Sequence, residues 1–232
     1  MCGRYTIVHD LASVCERFGV RPLPFDPGPR YNIAPTQGVP IIINDGGRRE
    51  LLLAQWGLVP FWARDPEIGS RLINARAETL AEKASFKHAL ARRRCLIPAD
   101  GFYEWLRTGG STQPYYIRRT DQALFAFAGL WEEWGSPDGS PLISCAIITV
   151  EPNALLAPIH NRMPAILSEE QEEPWMAGVS ARQRSTARTE PPEERWRGML
   201  RPWPGDDLEA YAVSRAVNNP RYTGQDCIDP AP

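Results

Sequence analysis

Two hairpin signals constrain the fold of this 232-residue chain more than any other feature. Short apolar runs at 39–43 and 51–56 flank the turn sequence Asn-Asp-Gly-Gly at 44–47, whose residues tolerate the positive φ angles of a tight turn. A second pair of runs, at 101–106 and 113–118, flanks a similar glycine-containing turn. Strands joined by tight turns lie antiparallel, because a parallel neighbour needs a much longer crossover. The sequence therefore predicts a largely antiparallel sheet.

Helices are predicted to be short and few. Asp10 is a suitable cap for a helix whose apolar residues, at 11, 14, 15 and 18, recur at three-to-four spacing. A second helix is predicted from a cap at Ser85 to about Arg94. Further strands are predicted at 124–131, 144–150 and 211–213. Hairpin strands without regular alternation with helices are typical of an α+β fold, here a mainly antiparallel sheet or partial barrel with flanking short helices.

The chain is expected to form one domain, residues 2–232, since single domains routinely reach roughly 200–250 residues. Residues 180–204 are rich in Arg, Glu, Pro, Ser and Thr with little periodicity, which predicts a mobile surface insertion. The apolar runs are far shorter than the ~20 residues of a membrane helix. No segment before Leu11 resembles a signal peptide. We therefore expect a cytoplasmic protein.

The five cysteines predict neither disulfides nor a metal site, because they are odd in number, far apart and without a C-x-x-C pair. Cys15, Cys95 and Cys145 occur in apolar segments where a small buried side chain fits. Cys2 differs, because it lies next to the start of the chain. Removal of Met1 would leave its amine and its thiol on adjacent carbons.

Such an aminothiol can trap an aldehyde twice, first as a Schiff base and then as a five-membered thiazolidine. The reference pKa of the amine is about 7.7–8.0 and that of the thiol about 8.5, so both supply some nucleophile near neutral pH. Ring closure is intramolecular and therefore favoured. From this segment alone, the alternative of a cysteine that merely follows the initiator methionine stays open.

Cys2 is accompanied by further short motifs in a fixed order. The segments are 2–5 (Cys-Gly-Arg-Tyr), 56–60 (Trp-Gly-Leu-Val-Pro), 74–79 (Asn-Ala-Arg-Ala-Glu-Thr), 98–105 (Pro-Ala-Asp-Gly-Phe-Tyr-Glu-Trp) and 158–164 (Pro-Ile-His-Asn-Arg-Met-Pro). Together they resemble the SRAP family, the SOS-response-associated peptidases or abasic-site-processing proteins. The resemblance runs from Cys2 to about Leu167 and resumes at 213–218.

The resemblance implies a covalent nucleophile at Cys2 in a pocket shared with Asn74, Glu104 and His160. Asn74 is expected to hydrogen-bond the reacting centre, and Glu104 to move protons as the sugar opens and the Schiff base forms. An abasic site rests mainly as a closed hemiacetal, so exposing its aldehyde needs an acid and a base within reach. Glu104 and His160 suit that task. Schiff-base lyase chemistry and self-processing peptidase activity are further expectations from the family.

The implied partner is DNA that contains abasic sites in single strands or at strand junctions. Arg4, Arg76 and Arg162 would contact the flanking phosphates, where a guanidinium fork matches the oxygens. Trp62 and Phe86 would stack on or wedge against bases, although a core position suits either residue equally well. We expect a monomer without metal, cofactor or membrane association, bound to the nucleoid when the DNA is damaged.

The charge of the chain is compatible with DNA binding only if the positive side chains are concentrated in one part of the sequence. The formal net charge is −2, but residues 71–119 hold ten Lys or Arg against four Asp or Glu. Lys87 stands where the family resemblance suggests arginine, which keeps the charge but weakens one phosphate contact.

Three other functions stay open. An N-terminal-nucleophile amidohydrolase also begins with Cys followed by Gly, but the stretches by which such glutaminases hold their substrate are not found in this sequence. A peptidase could use Cys2 with His160 and Glu104, most simply to remove Met1 from its own chain. A binding-only module would need the arginines and no free aminothiol.

Overall fold

The computed structural model describes residues 2–136, 139–177 and 193–231, and it confirms the α+β prediction. In chain order the elements are β1 (Tyr5–Ile7), α1 (Leu11–Phe18), β2 (Arg30–Ile33), β3 (Gly38–Asp45), β4 (Arg48–Trp56), β5 (Asn74–Arg76), α2 (Lys87–Arg92), β6 (Arg94–Ala99), β7 (Gly101–Thr108), β8 (Ser111–Arg119), β9 (Phe125–Gly135), β10 (Pro141–Val150), β11 (Met163–Pro164), β12 (Ile166–Leu167), α3 (Glu169–Met176), α4 (Glu193–Met199) and β13 (Leu208–Ala212). Short 3-10 turns connect several of them.

The larger sheet curls into a partial barrel. Its strand order is β11-β10-β4-β3-β6-β9-β12, with β5 beside β10, and β10 also pairs with β9. This last pairing closes a ring of five strands, most of them antiparallel to their neighbours. Fully buried side chains such as Ile41, Ile97, Phe127 and Ile147 belong to the core that the barrel strands form. The two parallel pairings are those of β4 and β5 with β10.

The smaller sheet places the start of the chain in the middle of the molecule. Its order is β13-β8-β7-β1-β2, with every pairing antiparallel, so β1 lies between β2 and β7. The pairing of β1 with β7 continues towards the N-terminus, because the backbone N–H of Tyr103 donates to the carbonyl of Arg4 at 3.0 Å. The residues before β1 are thereby held against β7, the strand that carries Glu104.

The sequence predictions that depend on residues near one another in the chain are mostly confirmed. Both predicted hairpins form, and the Asp10 side chain accepts the Ser13 amide at 2.7 Å to cap α1. The helix predicted from Ser85 to Arg94 is shorter, since α2 begins at Lys87 and has no side-chain cap. Arg94 instead starts β6, and its buried guanidinium donates to backbone carbonyls of the chain, including that of Trp175 at 2.5 Å.

The insertion predicted at 180–204 lies partly outside the described residues. From residue 193 the chain forms α4, and three side chains at its end are buried: Trp196, Met199 and Leu200. The C-terminal part of this stretch thus packs against the core, while mobility of the remainder stays a prediction. Within the described ranges, no helix is both long enough and apolar enough to cross a bilayer.

Candidate active site at the N-terminus

Cys2 is fully buried where the two sheets meet: it lies three residues before β1 of the smaller sheet and contacts Asn74 of β5 in the larger one, and the side chains grouped around it are called the pocket below. Its thiol donates to the carbonyl of Arg4 at 3.7 Å, and its own carbonyl accepts from Asn74 Nδ2 at 2.7 Å. Burial raises the pKa of the Cys2 thiol well above its usual range, and the negative charge of Glu104 adds to the rise. The thiol is therefore protonated at neutral pH and needs a base before it can react.

Glu104 is the candidate proton-transfer group of this pocket. It lies on β7 opposite Tyr115 of β8 and is 1% exposed. Burial raises the pKa of its carboxyl to about 7, although the backbone N–H of Trp105 opposes the shift. A carboxyl that is half protonated near neutral pH can either give or accept a proton.

His160 approaches Glu104 from the segment between β10 and β11. Its Nδ1 lies 3.9 Å from Glu104 Oε2, too far for a direct hydrogen bond, and accepts the backbone N–H of Arg162 at 3.0 Å. The same Nδ1 also lies 3.3 Å from the carbonyl of Arg162, so the Arg162 backbone holds the ring in place. Burial lowers the pKa of His160. The imidazole is therefore neutral near pH 7.

Asn74 completes the pocket from the barrel side. It begins β5, which is held by parallel pairing with β10, Asn74 lying beside Ile147. One side of its amide holds the Cys2 carbonyl, while Oδ1 is buried without a hydrogen-bond partner among the described residues. A buried acceptor without a partner is costly, and a donor on a bound molecule would relieve the cost. The four predicted pocket residues are thus brought together: Cys2 from just before β1, Asn74 from β5, Glu104 from β7 and His160 from the connection between β10 and β11.

The three predicted phosphate-binding arginines are placed differently from one another. Arg4 is half-buried, and its guanidinium donates to Asn32 Oδ1 at 2.8 Å and to the carbonyl of Val217 at 2.6 Å. Arg162 donates to both oxygens of Glu78, at 2.8 and 3.0 Å. Arg76 is exposed, and its guanidinium makes no hydrogen bond with the described part of the chain. Only Arg76 therefore presents its guanidinium outward, whereas the guanidinium groups of Arg4 and Arg162 hold the fold together.

The two residues predicted to stack on bases differ in their exposure to solvent. Trp62 is 47% exposed, as base stacking requires, but Phe86 is only 7% exposed and belongs to the core. The expectation that Phe86 stacks on bases is thus corrected in favour of the core position. Sequence reasoning missed Phe61, which is exposed next to Trp62 with its ring 4.5 Å from that of His88. Its position beside Trp62 in a proline-bounded turn was the available signal.

Asn32 and the motif residue Gly101 also support the site. Asn32 is buried in β2 and binds three carbonyls of the C-terminal segment. Gly101 leaves room for the Tyr116 hydroxyl, which a Cβ at that position would meet at 2.1 Å. Across the described residues no cluster of three or more His, Cys, Asp or Glu side chains is arranged to bind a metal ion.

This α+β chain groups a buried cysteine close to its start with a carboxyl, an imidazole and an amide. The family described as SOS response associated peptidase (SRAP) matches residues 1–220, and this chain belongs to it. Abasic site processing protein YoqW of Bacillus subtilis is 44% identical over 232 residues, covering 99% of both chains. The mouse protein named abasic site processing protein HMCES is 32% identical over 283 residues, covering all of this chain and 76% of its own.

The same fold is found in a solved structure of a Bacteroides thetaiotaomicron protein. The two chains share 27% identity and superpose with a TM-score of 0.83 over the full length of both. The α+β arrangement, with its partial barrel, is therefore shared with that protein.

Proposed function

We propose that this chain processes abasic sites in single-stranded DNA by capturing them covalently through Cys2, once removal of Met1 has made Cys2 the N-terminal residue. Shielding of the damaged site would follow from the crosslink. The observation that carries the proposal is the burial of Cys2 in one pocket with Glu104 and His160, whose facing atoms are 3.9 Å apart. The names of the relatives support the choice of substrate.

The chemistry balances without any further reactant. The Cys2 amine attacks C1 of the ring-opened sugar, and the resulting carbinolamine loses water to form an imine. The Cys2 sulfur then adds to the imine carbon, its proton passes to the nitrogen, and the five-membered thiazolidine closes. One water molecule is released overall. The second step converts a reversible imine into a more stable ring, and its intramolecular geometry favours it.

Glu104 is proposed as the group that moves these protons. The departing hydroxyl of the carbinolamine needs an acid, and the buried thiol, whose pKa is raised, needs a base. A carboxyl with a pKa of about 7 serves both steps. His160 is proposed to exchange a proton with the ring oxygen of the sugar during opening, and the uncompensated Oδ1 of Asn74 to accept from the Cys2 amine.

The DNA contacts are proposed to lie on the rim of the pocket. Arg76, which is exposed two residues after Asn74 on β5, is suited to a phosphate next to the abasic site. Trp62 is suited to stacking on an unpaired base. The single-strand preference rests on the resemblance and on this exposed ring.

Intact-mass analysis tests the proposal. Mature protein without Met1 should gain the mass of an abasic oligonucleotide minus one water, and Cys2→Ala should gain nothing. A chain whose N-terminal amine is blocked by an uncleavable tag should also fail to react. A stable adduct on Cys2→Ala or on the tagged chain would overturn the proposal, and unchanged DNA binding without any wild-type adduct would support a binding-only module.

Removal of Met1 by the chain itself is a second candidate activity, favoured by the family description as a peptidase and by the grouping of Cys2, Glu104 and His160. If the pocket performs this cleavage, Glu104→Gln expressed in a strain with normal aminopeptidase should retain Met1, whereas wild type should lose it. Complete loss of Met1 in both would assign the cleavage to the host. Schiff-base lyase activity would appear as strand cleavage at the imine stage.

A further inference from the structure

A C-terminal segment, residues 217–222, lies against the strands that carry the active site. The Arg4 guanidinium donates to the carbonyls of Val217 at 2.6 Å and Asn218 at 3.4 Å. Asn32 Nδ2 donates to the carbonyls of Asn219 at 3.1 Å and Tyr222 at 2.7 Å, and Asn32 is only 2% exposed. A buried amide with several backbone partners fixes the segment firmly, because breaking any of these bonds leaves a buried polar group unpaired.

Asn218 connects this segment to β7, the strand that carries Glu104. Asn218 Oδ1 accepts the indole Nε1–H of Trp105 at 2.7 Å. Trp105 directly follows Glu104 on β7, and its backbone N–H is close enough to lower the pKa of the Glu104 carboxyl. The bond from the indole to Asn218 therefore fixes the stretch of β7 on which Glu104 lies.

We infer that Asn218 is a positioning residue for the capture reaction: by holding the Trp105 indole, it fixes the end of β7 and thereby the direction of the Glu104 carboxylate toward Cys2. This inference rests on the proposed function. It also explains the internal placement of Arg4, whose guanidinium anchors the same segment rather than pointing outward. Misplacement of a catalytic group by ~1 Å can cost on the order of 10²-fold in rate, so a bond outside the pocket is able to matter.

Three variants isolate the bond. Asn218→Leu removes the acceptor at similar size, Trp105→Phe removes the donor, and Asn218→Asp keeps an acceptor oxygen. Asn219→Leu is the matched control, because the Asn219 side-chain oxygen accepts the Arg221 backbone N–H within the same segment rather than a group on β7. The readouts are single-turnover capture at saturating DNA, the Kd for uncleaved DNA, and the melting temperature.

We expect Asn218→Leu and Trp105→Phe each to slow capture by about tenfold, with Kd within about twofold of wild type, and the double variant to be no slower than either. Asn218→Asp should restore the rate, and Asn219→Leu should leave it unchanged. Wild-type rates in Asn218→Leu would overturn the inference. A change confined to Kd would instead make Asn218 a DNA contact, and equal losses in Asn218→Leu and Asn219→Leu, tracking melting temperature, would reduce it to a structural role; either result overturns the inference.

A measurement without DNA separates this inference from the proposed function. The backbone N–H of Trp105 favours the charged form of Glu104, so a shift of β7 in Asn218→Leu that moves this N–H away should raise the pKa of that carboxyl, as followed by carbon NMR of labelled glutamate. The control Asn219→Leu should show no change. If the wild type formed no adduct but this shift appeared, the capture proposal would fail while the positioning contact stood; an unchanged pKa would overturn the positioning contact itself.

Discussion

The pocket around Cys2 and the rim around it use their side chains in opposite ways. In the pocket, Cys2 and Glu104 are withdrawn from water, which raises the pKa of both, so that the thiol keeps its proton and the carboxyl is about half protonated near neutral pH. On the proposed rim, Arg76 and Trp62 are exposed to solvent. Burial prepares chemistry at a cost in stability, whereas exposure offers contact area and charge to a long polyanion. Pocket variants should therefore change rates and rim variants should change affinity.

The largest effect is expected for Glu104→Gln. The amide cannot exchange a proton with the carbinolamine or the thiol, so capture should slow by a factor on the order of 10²–10⁴. DNA affinity should stay nearly the same, because the side chain is buried. Single-turnover adduct formation at saturating abasic DNA measures the rate, and a wild-type rate would remove Glu104 from the mechanism.

His160→Ala should have the next largest effect, about 10²-fold. Since the imidazole is proposed to assist ring opening during capture and ring closure during release, both directions should slow together. Transfer of the adduct onto competitor abasic DNA reports the reverse direction. A variant slow only in capture would restrict His160 to that step, and one slow in neither would exclude it.

The buried carboxyl of Glu104 should also lower the free energy of unfolding above neutral pH. Its pKa in the folded chain, about 7, lies above the ordinary value of 4.5, so the unfolded chain releases the proton first as pH rises. Stability is therefore lost between about pH 4.5 and 7 and stays lost above that window. Glu104→Gln should raise the free energy of unfolding by up to ~3 kcal/mol at pH 8 and by much less at pH 4. Urea unfolding at both pH values checks this, and an equal gain at both would contradict it.

The smallest effect is expected on the rim. Arg76→Ala should weaken DNA binding and reduce the slope of log Kd against log salt by about 0.7, the value for one phosphate contact on a single strand. Arg48→Ala is the control, an exposed arginine at the far end of β4 from its pairing with β10. Arg162→Ala should instead lower the melting temperature, because its guanidinium is bonded within the fold. An unchanged slope in Arg76→Ala would place the phosphate contacts elsewhere.

The features that could be predicted from the sequence are those that depend on residues near one another in the chain or on the family pattern. Hairpins, the Asp10 cap and the grouping of the motif residues around Cys2 all follow from local spacing or from the family pattern. Arg4 and Arg162 were placed on DNA because a guanidinium suits phosphate, but it suits carbonyls and carboxylates equally well. Their partners, Val217 and Glu78, are 213 and 84 residues away, and nothing local in the sequence identifies such pairs.

Exposure of aromatic residues was equally hard to predict. Trp62 lies in a surface turn, whereas Phe86 lies at the N-terminal end of a helix that packs on the barrel. The burial of Phe86 depends on how α2 packs on β6 and β9. Because α2 has only six residues, its apolar spacing is too short a pattern to predict that contact.

The central claim is that both nucleophiles of Cys2 end in one ring with the abasic carbon. The direct test compares adducts of wild type and Cys2→Ser, both lacking Met1, by peptide mapping and by survival on heating without reductant. The account predicts that the wild-type adduct maps to the N-terminal peptide and survives, whereas the Cys2→Ser adduct stays a labile imine that is lost. A Cys2→Ser adduct of equal heat stability, or a wild-type adduct on another peptide, would contradict it.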